Sequence, residues 1–301
     1  MTTTPRVTQR LMMERSLTAM NTGLGRLART QEQLSTGRTI NRPSDSPTGT
    51  NDAIRLRAQM AADNQHARNA SDGLAALGQA DSTLQSMSDQ VRRARDLILQ
   101  GKSTGSAGPD ARAALAAELT QIRDSLLAMA NTQHMGRPLF SGTDFGEVDG
   151  GKVAYLPDGT YAGDDGAIER TVGQGSPVRV NVTGEEAFGA GDDNLFNVLT
   201  RTIDHMTTNP DALGTDLEQL DAVALNMRTA LADVGTRYGR VETAMSRLTD
   251  VNLTNSAALS EVENVDIAKA VVDLQMQEVA YQAALGATAR VLQPSLLDFL
   301  R

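Results

Sequence analysis

A long series of apolar residues runs from Leu217 to Val262 at alternating spacings of three and four residues, without a slip. Asn252 and Asn255 are the two polar members of the series, and they can fix its register. Heptads sustained over this length indicate a long α-helix that packs in the manner of a coiled coil. The phase breaks at "ENVDIAK", where Asp266 is placed to cap one further helix.

The N-terminal part of the sequence predicts another pair of helices with a firm break between them. The first helix carries a shorter heptad stripe and ends near Gly37, a residue suited to a left-handed cap. The stretch "STGRTINRPSDSPTG", residues 35–49, then interrupts the pattern with two prolines and two glycines. Ser46 and Pro47 are placed as the N-cap and the first position of a second helix, which we expect to reach Gly101.

Both ends of the chain are therefore predicted to be amphipathic helices whose apolar stripes need a partner. Ordering some thirty residues costs roughly 30–60 kcal/mol of backbone entropy, whereas burying five large apolar side chains returns roughly 8–15 kcal/mol. Isolated helices are marginal in water, so we expect both ends to be loose or disordered in the free chain and to fold when neighbouring subunits complete the core. The residues predicted to carry this subunit assembly are Leu17, Met20, Leu24, Leu27, Leu34, Ile267, Val271, Leu274, Tyr281, Leu285, Leu292, Leu296, Leu297 and Phe299.

The composition changes sharply between residues 141 and 193. This window holds 12 of the 26 glycines, short β-type runs such as "PVRVNV", and 11 acidic against 3 basic residues, a net charge of −8. An acidic segment of this kind belongs in solvent. A third helix, from about residue 110 to about residue 132, is expected before it, and helix returns near Leu195. The predicted fold class is mainly α: a long coiled-coil helical bundle built from both chain ends, with a small β-rich insert in the middle.

Several function classes are excluded by composition. The formal net charge is −9 and no basic stripe with interleaved aromatics is present, which argues against nucleic-acid binding. No apolar run reaches eighteen residues, so we expect no membrane insertion. The start, "MTTTPRVTQRLMMERS", lacks the apolar core and cleavage site of a secretory signal peptide. Cysteine is absent, which removes disulfides, thiolate metal sites and cysteine nucleophiles.

No constellation of residues indicates catalysis. "GEVDGGKV", residues 146–153, has the outline of a phosphate loop, but Val153 stands where Ser or Thr should hold magnesium, so a surface turn is the default interpretation. "GDDG" and "GDDN" lack the alternating acids of a calcium loop, and the second is better explained as a helix N-cap. The three histidines are not in a metal-ligand spacing. We expect no enzyme activity, no cofactor and no metal.

The sequence resembles the bacterial flagellin superfamily, and within it the hook-associated junction proteins. "INRPSDSP", "RPLFSGTD" and the ending "SLLDFL" are similar to the junction type rather than to filament flagellins. The resemblance covers most of both terminal regions and leaves the insert unmatched. The stretches that carry it are "QLSTGRTINRPSDSP" (33–47), "ARNASDGLAALGQADSTLQSM" (67–87), "NTQHMGRPLFSGT" (131–143) and "VENVDIAKAVVDLQMQEVAYQAALGATARVLQPSLLDFL" (262–300).

The resemblance implies a division of the chain into nested regions. Residues 1–42 and 264–301 would form an inner terminal coiled-coil domain, and residues 46–140 and 195–260 an outer helical bundle. Residues 141–194 would be a β-rich acidic surface insert. An elbow between the inner and outer domains is implied at Asn41, Pro43, Asp45 and Pro47.

The resemblance also implies a function. The chain would be a structural subunit of the bacterial flagellum that forms the junction ring between hook and filament, by polymerisation-coupled folding of its terminal helices. The implied partners are other copies of the chain, a neighbouring hook-associated protein, flagellin, an export chaperone and the type III export apparatus. Its implied location is extracellular, in the flagellum, after export without a cleaved signal. The first alternative is filament flagellin, which would polymerise indefinitely; a signalling coiled coil and a secreted effector are further alternatives.

Overall fold

The structure is a computed structural model, and it describes residues 9–103 and 108–292. Long helices dominate both halves of the chain, with short strands between them, which confirms the predicted fold class. The helices are α1 (Gln9–Thr36), α2 (Pro47–Lys102), α3 (Pro109–Ala130), α4 (Gly184–Phe188), α5 (Leu195–Thr208), α6 (Leu213–Glu263) and α7 (Ile267–Leu292), with 3-10 turns at Gly191–Asp193 and Pro210–Ala212.

The heptad series of the sequence becomes one unbroken helix, α6. Residues spaced by seven along α6 are buried, and a matching column spaced by seven is buried on α2. The two columns belong to one hydrophobic core. This is the packing expected of a coiled-coil seam, where one column faces the partner helix and its neighbour is half covered. The buried columns are Leu220, Met227, Val234, Val241 and Leu248 on α6, and Leu77, Leu84, Val91 and Ile98 on α2.

The strands form three separate two-stranded antiparallel hairpins. The first, β1 (Gln133–His134) with β2 (Arg137–Pro138), lies before the predicted insert. The other hairpins pair β3 (Gly146–Val148) with β4 (Gly151–Val153), and β5 (Glu169–Thr171) with β6 (Pro177–Arg179). Strands of three residues bury little by themselves, so their stability has to come from the helices against which they pack.

The insert packs apolar side chains into the hydrophobic core that it shares with α2 and α6. Tyr155 and Phe188 of the insert and Phe140 and Phe196, which flank it, are fully buried, and the ring centroids of Tyr155 and Phe196 lie 4.7 Å apart. The acidic side chains point the other way: of the 11 acids between residues 141 and 193, nine are exposed and two are half-buried. The segment is therefore apolar toward the helices and acidic toward solvent, which keeps its charges hydrated.

The predicted helix boundaries agree with the structure at three breaks. Gly37 has a φ of +69°, as a left-handed cap requires. The Ser46 hydroxyl accepts from the Gly49 amide at 3.2 Å, at the start of α2. The Asp266 carboxylate accepts from the Lys269 amide at 3.1 Å, at the start of α7. The Ser46 and Asp266 side chains thus satisfy amides that have no partner inside a helix.

The third helix ends two residues before the predicted residue 132. Its C-cap is Asn131, whose amide oxygen accepts from the backbone amides of Ala154 and Tyr155 at 2.8 and 2.9 Å. The Asn131 side-chain NH₂ donates to the Tyr155 carbonyl at 2.9 Å. Because these bonds tie the chain to the insert, the backbone leaves the helix here and turns into β1.

The described residues fall into two compact units. Unit 1 takes those in the ranges Met1–Ala61 and Asn252–Arg301, and unit 2 takes Ala62–Val251. Unit 1 contains α1, α7, the start of α2 and the end of α6; unit 2 contains the remainder of those two helices and the insert. The division into inner, outer and insert domains that the resemblance implies stays a prediction.

Candidate assembly surface

The centre of unit 1 is the pair of helices α1 and α7, which pack along one another. Small side chains and polar contacts fill their interface. Ala270 is buried, and the Thr30 hydroxyl bonds to the Gln277 side-chain oxygen at 3.3 Å. Gly23 lies opposite the Tyr281 ring, where a Cβ atom would come within 3.7 Å. Such a contact lets the helices approach, but it covers little apolar surface.

The apolar stripes predicted to carry assembly are half uncovered: of the ten members whose side chains are described, five are exposed and five are half-buried. Leu17, Leu24 and Leu285 are 47%, 43% and 41% exposed, and Ile267 is 62% exposed. Val271 is exposed as well. The half-buried members of the set are Met20, Leu27, Leu34, Leu274 and Tyr281. Leu292 is the last residue of α7, and the structure does not describe its side chain. Leu296, Leu297 and Phe299 lie outside the described residues. The role of all these residues in assembly stays a prediction.

A second apolar stripe on α7 was missed by the sequence analysis. Val272, Met276 and Val279 are more than half exposed, and they repeat the four–three spacing of a heptad on another side of the helix. They line an open groove of about 800 Å³ together with Met20 and Gly23 of α1. The spacing alone could have revealed this stripe. A helix that is apolar on two sides is typical of one that is covered on two sides in its working state.

The segment between α1 and α2 is hydrogen-bonded to the segment between α6 and α7 in unit 1. The backbone amide of Thr39 donates to the Glu263 carbonyl at 2.7 Å, and the Val265 amide donates to the Gly37 carbonyl at 3.0 Å. Arg38 forms an isolated antiparallel bridge with Asn264 between these bonds. The connector between α1 and α2 (residues 37–46) and the connector between α6 and α7 (residues 264–266) therefore form a short backbone ladder.

An ion pair between Arg57 and Glu263 lies beside this backbone ladder. The Glu263 side chain is only 8% exposed, and its two carboxylate oxygens lie 2.6 and 2.7 Å from Nη2 of Arg57. Nε of Arg38 stands 4.0 Å from the same carboxylate. The sequence analysis did not single out Arg57 or Glu263. The two are 206 positions apart, and no local pattern relates them.

The predicted elbow residues lie in the first connector and at the start of α2. The Asp45 carboxylate accepts from the backbone amides of Asn41 and Arg42 at 3.2 and 2.8 Å, which forms a tight turn around Pro43. Pro47 is the first residue of α2. The turn is thus held by hydrogen bonds among its own residues. The backbone bond from Thr39 to Glu263, which are far apart in the sequence, holds it against the segment between α6 and α7. Its role as an elbow between domains stays a prediction.

The segments weighed for chemistry are all used by the fold. Residues 146–153 are the β3–β4 hairpin, and the ammonium group of Lys152 lies 4.6 Å from the centre of the Phe145 ring. Asn194 caps α5 by accepting from the amides of Phe196 and Asn197. The His205 ring bonds to the buried Asp216 at 2.8 Å. In the described ranges, no group of three or more His, Asp or Glu side chains is arranged to hold a metal ion.

The "GDDG" segment folds around one of its own carboxylates. Asp164 accepts from the hydroxyl and backbone amide of Thr143, and from the amides of Asp144 and Gly166 at 3.1 Å. The Thr143 side chain and backbone hydrogen bonds lower the pKa of Asp164 to about 2. This carboxylate therefore closes a loop of the insert.

No helix in the described part of the chain has an apolar stretch of the length and character needed to span a bilayer. Long helices from both chain ends, paired with their apolar faces open, define a class of protein: the subunit of a helical assembly. The profile of the bacterial flagellin N-terminal helical region matches residues 8–144, and that of the C-terminal helical region matches residues 217–300. These matches cover well over half of the sequence, and the chain belongs to the bacterial flagellin family.

Among curated relatives, the flagellar hook-associated protein 3 of Salmonella typhimurium is 25% identical over 93% of this chain and 94% of its own length. The flagellar filament 33 kDa core protein of Treponema phagedenis is also 25% identical, with the same coverage. Among solved structures, a flagellar hook-associated protein of Vibrio parahaemolyticus aligns with a TM-score of 0.63 at 22% identity, covering 73% of this chain and all of that chain. Hook-associated protein 3 of Legionella pneumophila aligns with a TM-score of 0.60 at 15% identity, covering 69% and 98%.

These comparisons confirm the resemblance stated from the sequence. The curated relatives include the hook-associated protein 3 of two bacteria, each 25% identical over more than nine-tenths of this chain. The family is one of structural flagellar proteins. The solved neighbours are below 25% identity and support the fold alone.

Proposed function

We propose that this chain forms the ring that joins hook to filament, and that neighbouring copies complete the hydrophobic core of unit 1. The observation that carries the proposal is the imbalance of that unit. Ala53 and Ala270 are the buried apolar residues among its described side chains, whereas eleven of its large apolar residues are exposed and others, such as Leu27 and Leu274, are half-buried. The exposed set is Leu11, Leu17, Leu24, Ile54, Leu253, Ile267, Val271, Val272, Met276, Val279 and Leu285.

The energetic reason for assembly follows from this exposure. Burying the remaining half of a large apolar side chain contributes about 1 kcal/mol, and the exposed set offers many such contributions along two faces of α7 and one of α1. Contiguous apolar surface of this extent marks an interaction site on a folded protein. Association through helices of several neighbours would add packing to α1 and α7, and helix stability comes mainly from packing.

The partners follow the same proposal. The chain contacts other copies of itself within the ring, a hook-associated neighbour on one side and flagellin on the other. It reaches the flagellum outside the cell through the type III export apparatus, escorted by a chaperone and without a cleaved signal. It carries out no catalysis, because its contribution is adhesion between subunits.

The proposal is tested with the purified full chain and isolated hook fragments. We expect the wild-type chain to cap hook fragments and to stay in the supernatant under salting-out conditions that polymerise flagellin. Leu24→Lys and Val271→Lys should abolish capping with little change in the melting temperature of the free chain. The matched control is Leu225→Lys, because Leu225 is exposed to a similar degree on α6 of unit 2. Long filaments from the chain alone would identify it as a filament flagellin.

The ordering of the chain ends has its own test. Limited proteolysis of the free chain should cut within residues 1–40 and 265–301 well before it cuts unit 2, and capping should protect both segments. Equal resistance of all segments in the free chain would contradict folding on assembly.

A further inference from the structure

Methionine is the oxidation-sensitive side chain of this protein. The sequence holds 12 methionines and neither cysteine nor tryptophan, so a mild peroxide has no more reactive target. Of the nine methionine side chains that the structure describes, Met135 is 81% exposed and Met276 is 61% exposed. The others are half-buried or buried, and the buried ones are Met87, Met206 and Met227. Because oxidation follows exposure, we expect Met135 and Met276 to react first among these nine.

The two exposed methionines lie on surfaces of different kinds. Met135 is the first turn residue of the β1–β2 hairpin in unit 2. Met276 belongs to the second apolar stripe of α7 in unit 1, between Val272 and Val279, and it lines the open groove of about 800 Å³. In the proposed function, neighbouring copies cover this groove. A reagent would therefore reach Met276 in the free chain but not in the assembled ring.

We propose that Met276 is a redox modification site whose oxidation to the sulfoxide blocks assembly of this chain. The co-reactant is hydrogen peroxide. The thioether sulfur attacks one peroxide oxygen and keeps it, the O–O bond breaks, and the second oxygen leaves as water. The sulfur is oxidised by two electrons and the peroxide is reduced by the same two. The inference rests on the proposed function, because a sulfoxide at this position matters only if assembly covers it.

The physical reason for the block is the change in polarity. Oxidation converts a flexible apolar side chain into a polar one. In the free chain the sulfoxide stays in water and leaves α7 intact, but in the ring it would be buried on an apolar stripe, and burying an unpaired polar group is unfavourable. Arg26 lines the groove as well. A sulfoxide that bonds to Arg26 would hold this charged side chain in the groove, which also opposes entry of an apolar surface.

The test treats the purified full chain with dilute hydrogen peroxide, removes the peroxide, and then measures capping of untreated hook fragments. Peptide mass mapping should find sulfoxide at Met135 and Met276 at least about tenfold sooner than at the three buried methionines, which react only when the core opens. The oxidised chain should need at least about tenfold more protein to cap half of the hook ends, with an unchanged melting temperature. A methionine sulfoxide reductase should restore capping, because it returns the thioether.

Substitutions assign the effect to one sulfur atom. Met276→Leu keeps an apolar side chain of similar volume that peroxide does not oxidise, so this variant should cap equally well before and after treatment. Met276→Gln places a polar group of similar length in the groove and should lose capping without any peroxide. The matched controls are Met135→Leu, which should stay as sensitive to peroxide as the wild type, and Met135→Gln, which should cap normally.

Two results would overturn the inference. One is a peroxide-treated Met276→Leu chain that loses capping as the wild type does, and the other is a Met276→Gln chain that caps normally. In both cases an untreated wild-type chain that caps hook fragments leaves the proposed function standing, and only the role of Met276 falls. An untreated wild-type chain that never caps hook fragments would overturn both.

Discussion

Unit 1 and unit 2 are built from the same two long helices but differ in what covers them. In unit 2, α3, α5 and the insert pack on α2 and α6, and the seven-residue columns of both long helices are buried. In unit 1, α1 and α7 pack on one another and leave their larger apolar residues exposed or half-buried. The difference teaches that a heptad stripe specifies a helix and a face, but not the partner. Unit 2 finds its partner within the chain, whereas the proposed function gives unit 1 its partner in another copy.

The largest expected effect tests whether the hydrophobic core of unit 2 contributes more to the stability of the free chain than that of unit 1. Leu84→Ala in unit 2 removes a fully buried side chain from the α2 column and should cost about 2–5 kcal/mol of unfolding free energy. Leu24→Ala in unit 1 should cost less than about 0.5 kcal/mol in the free chain, because the side chain is already largely solvated. Chemical denaturation of both variants gives the two values. Equal losses would mean that unit 1 already has a complete core in the single chain.

The next effect concerns the ion pair between the buried Glu263 carboxylate and the half-exposed Arg57 side chain in unit 1. Glu263→Gln removes the charge that Arg57 contacts at 2.6 Å, and should destabilise unit 1 by about 1–3 kcal/mol. The readout is hydrogen exchange of the α1 and α7 amides, which should quicken while unit 2 is unaffected. The control is Glu32→Gln, whose carboxylate lies 3.3 Å from Arg42 at a more exposed position and should change little. Unchanged exchange in Glu263→Gln would show that the backbone ladder alone holds the connectors.

A smaller effect compares helix caps in the two units. Asn194→Ala removes a buried cap of α5 that also donates to the carbonyls of Gly159 and Gly191, and should cost about 1–2 kcal/mol. Ser46→Ala removes the cap of α2 in unit 1 and should cost about 0.5–1 kcal/mol. Thermal unfolding followed by circular dichroism measures both. A larger loss for Ser46→Ala would contradict the view that unit 1 contributes less to the stability of the free chain.

The smallest effect is a pH dependence confined to the insert. The pKa of Asp164 is lowered to about 2 by its hydrogen bonds with Thr143, so the folded state favours the ionised form. Its contribution to stability is therefore present above about pH 4 and is lost as the pH falls through about 2. Asp164→Asn should weaken the insert at neutral pH and reduce the loss of stability between pH 4 and pH 2. Asp165→Asn is the exposed control, and an identical acid profile in the two variants would contradict this role.

The sequence by itself determined the helices and their interruptions. Heptad spacing over residues 217–262 fixed the length of α6, since i, i+3 and i+4 contacts are set by helix geometry alone. Gly37, Ser46 and Asp266 marked breaks because each serves backbone groups within a few residues of itself. The acid-rich composition of residues 141–193 was likewise sufficient to place its carboxylates in solvent.

Only the tertiary structure decided which distant residues meet. Arg57 meets Glu263, Asn131 meets Tyr155, and the aromatic residues of the insert join the core of α2, α5 and α6. It also placed Met135 in a turn that a Met does not favour, with its side chain in solvent. The physical reason is that local spacing carries information over one or two helical turns. Contacts between residues 24 to 206 positions apart, such as these, depend on how the whole chain folds, and a local residue pattern does not record that.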